Sequence, residues 1–243
     1  MSELLVLQHT AAAGPSCFVE VLDARISIAP WRLVEVAGPD DLPTDPSALA
    51  GLVVMGGTMS ATEPEAHPWM LTELDLLRRA VDAEVPVLGV CLGAQMLAAA
   101  HGGTVERRAT PQIGYRPLWR TDEAAGDPVF EGWQDGASPL FLHEDEVVEL
   151  PEGAVALLED EGRVAGWRLG SAWAVQFHPE VDGAQLAEWL ELDAMPPLLE
   201  RAGVDGDALL TEARTRDRNV VPIGRALIGR FIDAAVRPHL EAS

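Results

Sequence analysis

Two short stretches carry residue types that can act together in covalent chemistry. Cys91 lies in Gly89-Val-Cys-Leu-Gly93, and His178 and Glu180 lie in Gln176-Phe-His-Pro-Glu180. A cysteine nucleophile needs a base that keeps it as the thiolate and a third group that orients that base. His178 is the candidate base, and Glu180 is close enough along the chain to fix its tautomer. We therefore predict a catalytic triad of Cys91, His178 and Glu180.

The sequence around Cys91 favours a nucleophile. Val85 to Val90 is an apolar run rich in β-branched residues, which is typical of a buried strand, and Ala94 to His101 has a helix-forming composition. Cys91 then lies on a sharp turn from strand to helix, the layout called a nucleophile elbow. The positive end of the helix dipole favours the thiolate. The alternative is an inert buried cysteine, and the flanking glycines argue against it because they permit a tight turn and a close approach.

A reaction at a carbonyl also needs an oxyanion hole. The predicted strand Gly51 to Met55 ends in Gly56 and Gly57, where no side chain covers the backbone N–H groups. The N–H of Leu92, which follows the nucleophile, is the second donor expected from an elbow. We predict Gly57 and Leu92 as the donors, while a plain turn between strand and loop is the alternative for the two glycines.

Strands and helices alternate over much of the chain, which indicates an α/β layered fold with a mostly parallel sheet. Sites in such sheets form at the carboxyl ends of strands, where Gly57, Cys91 and His178 are all predicted to lie. The predicted strands are Leu4–Leu7, Trp31–Val36, Gly51–Met55, Val85–Val90 and Ala172–Phe177. The predicted helices are Cys17–Arg25, His67–Glu84, Ala94–His101 and Gly183–Leu192.

The pattern changes after Thr104 and again after residue 192. Short strands separated by turns predict an accessory antiparallel meander over Thr104–Arg108, Ile113–Arg120, Leu140–Leu142, Val147–Leu150, Ala154–Glu159 and Val164–Leu169. Helical spacing is found in Ala208–Arg216 and Pro222–Val236. We therefore expect one domain over residues 1–192 and a helical extension over residues 193–243 that packs on the same domain.

The composition excludes several classes of partner. The chain has 243 residues, of which 48% are hydrophobic and 23% charged, enough for a globular core. Its net charge of −22 argues against nucleic acid and anionic membranes, because phosphate binding needs clustered Lys and Arg. The two cysteines, Cys17 and Cys91, favour a reduced compartment. With neither a signal peptide nor an apolar run of about 18 residues, we expect a cytoplasmic protein.

The two chemical motifs, about ninety residues apart, resemble those of the class I (triad-type) glutamine amidotransferases. Val54-Met-Gly-Gly57 is similar to the oxyanion strand of that family, and Ile113-Gly-Tyr115 to its Ile-Gly-Trp segment. The resemblance covers roughly Leu4 to Leu190. It implies a flavodoxin-like fold, attack of the thiolate on the side-chain amide of glutamine, release of ammonia and hydrolysis of a γ-glutamyl thioester. No cofactor or metal is predicted. The residues that the resemblance places beside the substrate are Gly56, Gln95, His143 and Glu144.

Two positions depart from the pattern of that family. Glu144 stands where relatives often have the glycine of a His-Gly-Asp segment, which borders the amino-acid end of the substrate. The extra carboxylate either binds the α-amino group of a γ-glutamyl substrate or is a solvated loop charge. Gln112 stands where many relatives have Glu, and nothing in the sequence explains it.

Three uses of the site stay open. Only about sixty residues follow the triad, and neither a P-loop nor a Ser-Gly-Gly-x-Asp pyrophosphatase motif is present. The first hypothesis is an amidotransferase or glutaminase, resembling the amidotransferase domain of guanylate (GMP) synthase, that serves a separate synthetase subunit. The second is a stand-alone hydrolase of γ-glutamyl peptides or amines. The third is a non-catalytic scaffold, which the intact triad argues against. The C-terminal helices could cover the sheet edge, form a homodimer or dock a synthetase.

Overall fold

A computed structural model describes residues 2–242 and contains a large central sheet. The strands of this part of the chain are β1 Leu4–Gln8, β2 Trp31–Glu35, β3 Gly51–Val54, β4 Val87–Val90, β5 Thr104–Tyr115, β6 Trp119–Arg120, β7 Leu140–Glu149, β8 Val155–Asp160, β9 Arg163–Leu169 and β10 Ala172–Val175. Eight of them form one sheet in the order β2-β1-β3-β4-β10-β9-β8-β6. The pairs from β2 to β10 are parallel, and those from β10 to β6 are antiparallel.

Helices cover both faces of the sheet. They are α1 Phe18–Ala24, α2 Pro68–Asp82, α3 Leu92–Ala100, α4 Gly183–Leu190, α5 Met195–Ala202, α6 Gly206–Phe231 and α7 Arg237–Ala242, with a π-helical turn at Ile232–Val236 between the last two. The prediction of a mostly parallel sheet with helices on both faces is confirmed. None of the helices within residues 2–242 has the length and apolar character needed to cross a membrane.

Alternate residues of each central strand supply the two cores. Leu4 and Val6 of β1 pack with the helix α1 and the C-terminal helices, whereas Leu5 and Leu7 pack with α2 and α3. Successive side chains of a strand point to opposite faces, and a parallel sheet covered on both sides must be apolar at every position. The unbroken apolar runs of the sequence reflect this burial.

The predicted accessory antiparallel strands are present, but their bounds and their placement differ from the prediction. Strand β5 joins the predicted Thr104–Arg108 to the start of Ile113–Arg120, and β7 joins the predicted Leu140–Leu142 to most of Val147–Leu150. The two long strands form a separate two-stranded antiparallel sheet, with an irregular register between Arg107 and Gln112. The polar side chains of His143 and Asp145 point inward from β7 and are buried, so they interrupt the apolar pattern that marks a strand. The strands β6, β8 and β9 extend the central sheet instead of lying beside it.

The C-terminal segment differs from its prediction in two ways. Helix α6 runs through Pro222 without a break, where the sequence predicts two helices, because Val220 and Leu227 are buried on either side of the proline. Helix α5 was not predicted. The first residue of the predicted domain, Met1, and the last residue of the predicted extension, Ser243, lie outside the described residues.

Candidate active site

Three adjacent parallel strands bring the separated motifs to one place. β4 pairs with β3 on one side and with β10 on the other. Gly56 and Gly57 follow β3, Cys91 follows β4 directly, and His178 follows β10. Because parallel strands end at the same edge of a sheet, residues far apart in the sequence meet there.

Cys91 has the strained backbone of an elbow. Its φ is 51° and its ψ is −103°, a conformation that costs a non-glycine residue on the order of 1–3 kcal/mol. The flanking glycines make the turn fit. A Cβ on Gly93 would lie 2.2 Å from the carbonyl oxygen of Val54, and one on Gly89 would lie 2.8 Å from the backbone of Gly93. Helix α3 therefore begins in contact with β3 and β4, with the Cys91 side chain at its N-terminus.

His178 and Glu180 form a buried pair. Nδ1 of His178 lies 2.8 Å from Oε1 of Glu180, and both side chains are almost fully buried. Burial by itself lowers the pKa of His178, but the Glu180 carboxylate and the Cys91 sulfur outweigh burial and raise the pKa to about 10. The imidazole is therefore protonated beside Cys91. Its Nδ1 is hydrogen-bonded to Glu180, so Nε2 is the nitrogen that is not engaged by the carboxylate.

Gln176 is a contact of Cys91 that the sequence interpretation missed, although it lies in the quoted motif. Its Nε2 donates to Sγ of Cys91 over 3.7 Å, and its Oε1 accepts from Nε2 of Gln95 over 3.4 Å. The sulfur thus faces an amide donor as well as His178.

Gly56, Gly57 and Leu92 surround the cysteine. A Cβ on Gly56 would lie 3.0 Å from Cε1 of His178 and 3.7 Å from Cβ of Cys91, so any side chain there would displace the pair. A Cβ on Gly57 would lie 2.9 Å from Cδ2 of Leu92. Leu92 is the first residue of α3, and the first N–H groups of a helix have no partner within it. The two glycines and Leu92 are thus close neighbours of Cys91 and His178.

A cavity of about 120 Å³ opens beside Cys91 and includes three of the predicted substrate residues, Gln95, His143 and Glu144. It is named the polar cavity for the charged side chains in its wall, although apolar atoms make up most of the wall. Nε2 of Gln95 donates to the backbone oxygen of Asp145 over 2.7 Å, so this amide braces the cavity wall. Glu144 forms an ion pair with Arg201 of α5. Glu144 is therefore a paired charge in the cavity wall.

His143 is a buried part of the wall. Burial lowers its pKa to about 3. Its Nδ1 lies 2.8 Å from the oxygen of Asp145, and its Nε2 lies 2.9 Å from Oε1 of Gln112. Gln112 also donates from Nε2 to Oδ2 of Asp160 over 3.1 Å. A glutamate at 112 would place a second carboxylate against Asp160, which gives a physical reason for the glutamine.

Several wall residues escaped the sequence interpretation. Arg107 lines the polar cavity, and its Nε lies 3.1 Å from Oδ1 of the buried Asp145. Ala194, Met195 and Leu198 form another wall. Arg107 lies between two register shifts of β5. Ala194, Met195 and Leu198 lie in or next to α5, which the sequence does not predict. None of the four residues belongs to a recognisable motif. Within residues 2–242, no three His, Cys, Asp or Glu side chains are grouped closely enough to hold a metal ion.

Comparison with known proteins agrees with this architecture. The structure is similar to that of a glutamine amidotransferase from Thermotoga maritima, with a TM-score of 0.82, 24% identity, and 96% of this chain and 99% of that chain covered. It is also similar to a glutamine amidotransferase from Methylobacillus flagellatus, with a TM-score of 0.80, 26% identity, and 96% and 95% covered. The fold is therefore the flavodoxin-like α/β fold of the glutamine amidotransferases.

Sequence comparison identifies the family to which the chain belongs. The family model described as glutamine amidotransferase class-I matches residues 23–193, so the chain belongs to that family. A GMP synthase [glutamine-hydrolyzing] from Christiangramia forsetii is 33% identical over 155 residues, which cover 60% of this chain. That match covers only 28% of the length of the GMP synthase. The resemblance seen in the sequence motifs is thereby confirmed.

Proposed function

We propose that this protein hydrolyses the side-chain amide of glutamine through a covalent γ-glutamyl thioester on Cys91. The observation that carries the proposal is the Cys91 elbow in one pocket with His178, whose other ring nitrogen is bonded to a buried Glu180. A thiol, a base and an orienting carboxylate in this arrangement are what nucleophilic acyl transfer needs. Membership of the class-I family supports the choice of glutamine as the acyl donor.

In the first step the thiolate of Cys91 attacks the amide carbon of the substrate. The N–H groups of Gly57 and Leu92 donate to the oxygen that becomes negative, the role of an oxyanion hole. The protonated His178 then donates from Nε2 to the leaving nitrogen, the C–N bond breaks, and ammonia departs. Glu180 keeps the imidazole oriented and charged until that transfer.

In the second step water hydrolyses the thioester. The now neutral His178 accepts a proton from water through Nε2, and the resulting hydroxide adds to the thioester carbon. The C–S bond breaks, glutamate is released, and His178 again faces a thiolate. Only one nitrogen of His178 takes part, because Nδ1 stays bonded to Glu180.

The polar cavity supplies groups for the amino-acid end of glutamine. The Arg107 guanidinium is suited to the α-carboxylate and the Glu144 carboxylate to the α-ammonium. Gln95 and His143 hold the cavity wall in position, because both are hydrogen-bonded to the backbone oxygen of Asp145. Gly56 keeps the approach to His178 open. These assignments extend the family chemistry to this chain, residue by residue.

The ammonia can serve a synthetase on another chain. The matched relatives are named as glutamine-hydrolysing GMP synthases. On the basis of those names we propose a synthetase subunit as the partner. Glutamate and ammonia release without any partner would show a glutaminase, and release only with a partner would show strict coupling.

The test measures glutamate and ammonia release from glutamine by the purified chain and by two cysteine variants. Cys91→Ala should lose several orders of magnitude in rate, because nucleophile and base act as a unit. Cys17→Ala is the matched control. Cys17 is also buried, burial raises its pKa to about 12, and it should be inert, so that variant should keep most of the rate. Equal rates for the wild type and Cys91→Ala would refute the assignment.

A further inference from the structure

Two cavities of different character meet at Cys91. The polar one, of about 120 Å³, contains Arg107, His143 and Glu144, whereas a second one, of about 50 Å³, does not. The second cavity is mostly apolar. The residues shared by both are Gly57, Thr58, Cys91, Leu142 and Met195. An acyl donor bound across Cys91 would therefore place one end beside charged side chains and the other in a cavity that has none of them.

The position of His178 decides which end of the substrate lies where. His178 lines the apolar cavity and not the polar one. Its Nδ1 is bonded to Glu180, so only Nε2 can pass a proton to the leaving nitrogen. On the reaction proposed above, on which this inference rests, the leaving nitrogen and whatever it carries must lie in the apolar cavity.

The walls of that cavity suit an alkyl group. Leu192 and Met195 are apolar, and the ring of Trp189 packs edge-on to His178 with the centroids 4.8 Å apart. The hydroxyl of Thr10, which also lines the cavity, is buried and has no hydrogen-bond partner among residues 2–242. A secondary amide offers one N–H for such an oxygen, next to an apolar substituent.

The size of the cavity points the same way. A water molecule needs about 10–15 Å³ in this measure, so a cavity of about 50 Å³ has room for a few non-hydrogen atoms. Ammonia would occupy a small part of it and would meet few polar partners.

We propose that the enzyme accepts γ-glutamyl amides with a short N-alkyl group of two or three carbons, and that the apolar cavity binds this group. Cys91 attacks the amide carbon, the C–N bond breaks, and His178 gives its proton to the departing alkylamine. Water then cleaves the thioester to glutamate as it does after glutamine. Atoms and charges balance without any further reactant.

The first test compares kcat/KM for glutamine and for γ-glutamyl methyl-, ethyl-, propyl- and octylamide. A rise of up to about four-fold per carbon from methyl to propyl is expected, from ~0.8 kcal/mol per buried methylene, and a steep fall for octyl. Turnover of glutamine with a steady fall from methyl onward would overturn this inference and leave the proposed function standing. If none of the compounds were hydrolysed, both this inference and the proposed function would be refuted.

Two leucine variants locate the alkyl site. Leu192 lines only the apolar cavity and Leu198 only the polar one, so Leu192→Ala and Leu198→Ala are a matched pair. Leu192→Ala should move the preferred alkyl chain to greater length, and Leu192→Trp should abolish propylamide turnover while glutamine is still hydrolysed. Leu198→Ala should leave the chain-length order unchanged. The same order in both alanine variants would contradict the assignment of the cavity.

Discussion

His178 lies between the Glu180 carboxylate, 2.8 Å from Nδ1, and the sulfur of Cys91. In the proposed reaction the carboxylate persists throughout, whereas the sulfur of Cys91 is taken up in the thioester. Glu180 is therefore the group that would keep His178 basic at every stage of that reaction. Its second oxygen, Oε2, is buried without a hydrogen-bond partner within residues 2–242, so the carboxylate is directed to His178 alone.

The pH dependence of the first step follows from this pair. The pKa of His178 is raised to about 10, so it stays a proton donor below that value and loses the proton as the pH rises through it. Acylation should therefore decline on the alkaline side near pH 10. Glu180→Gln removes the carboxylate, so the alkaline limb should move to lower pH, with a rate loss of about 10²–10⁴-fold. A pH profile of single-turnover acylation measures both effects.

The chain contains its own control for that substitution. Glu73 is a second fully buried glutamate bonded to a histidine, with Oε2 3.0 Å from Nε2 of His9, and it lines neither cavity at Cys91. Glu73→Gln should lower the unfolding temperature without moving the alkaline limb. If both variants moved the limb equally, the effect would come from loss of packing and the role assigned to Glu180 would be wrong.

The sequence predicts the site residues that lie in short motifs, but not those that reach the site only through contacts in the folded chain. Cys91, His178 and Glu180 lie in short stretches whose spacing and residue types indicate chemistry. Arg107 lies opposite Asp145 of β7, and a register shift separates this pair from that of Gln112 and His143. Register is set by pairing across the chain and not by local composition, so no sequence pattern indicated this residue.

At the scale of elements, helix α6 packs against the loop that carries His178 and Glu180 of the proposed triad. A Cβ on Gly224 would lie 1.7 Å from the carbonyl oxygen of Pro179, between His178 and Glu180. The helix therefore approaches the loop at a distance that only glycine allows. A change in this contact would shift the imidazole relative to Cys91.

Gly224→Ala tests this contact, and the sign of its effect is informative. Inside a free helix the change would stabilise by ~1 kcal/mol. Here it should destabilise by about 1–3 kcal/mol through overpacking and should lower kcat with little change in KM, because the triad and not the substrate wall moves. Gly38→Ala is the control, since nothing lies within 4 Å of a Cβ there. A more stable and fully active Gly224→Ala variant would refute the positioning role.

Local sequence also predicted elements unevenly. The central strands were recognised because both faces are buried and every position is apolar. The sequence predicts two helices where the structure has the single helix α6, and a proline inside a helix costs ~3 kcal/mol. Packing of Leu227 and Phe231 against the sheet compensates for this cost, and such tertiary contacts leave no local signal.

At the scale of the whole molecule, the C-terminal segment belongs to the main core. Leu227, Ile228 and Phe231 lie in one apolar cluster with Val6 of β1 and Phe18 of α1. We propose on this basis that residues 193–243 extend the first domain and do not fold apart from it. The same segment supplies Met195 to both cavities, so stability and the shape of the site depend on one set of contacts.

Two leucines distinguish a shared core from a separate unit. Leu227 is fully buried, whereas Leu71 on α2 is 51% exposed. Leu227→Ala should reduce the free energy of unfolding of the whole chain by about 2–5 kcal/mol in a single transition, as a cavity forms beneath the sheet. Leu71→Ala should stay within about 0.5 kcal/mol of the wild type. Denaturant unfolding followed by far-UV circular dichroism and by tryptophan fluorescence measures this. If Leu227→Ala instead produced an early transition confined to the helical signal, with the tryptophans of the sheet unaffected, residues 193–243 would be an independent unit.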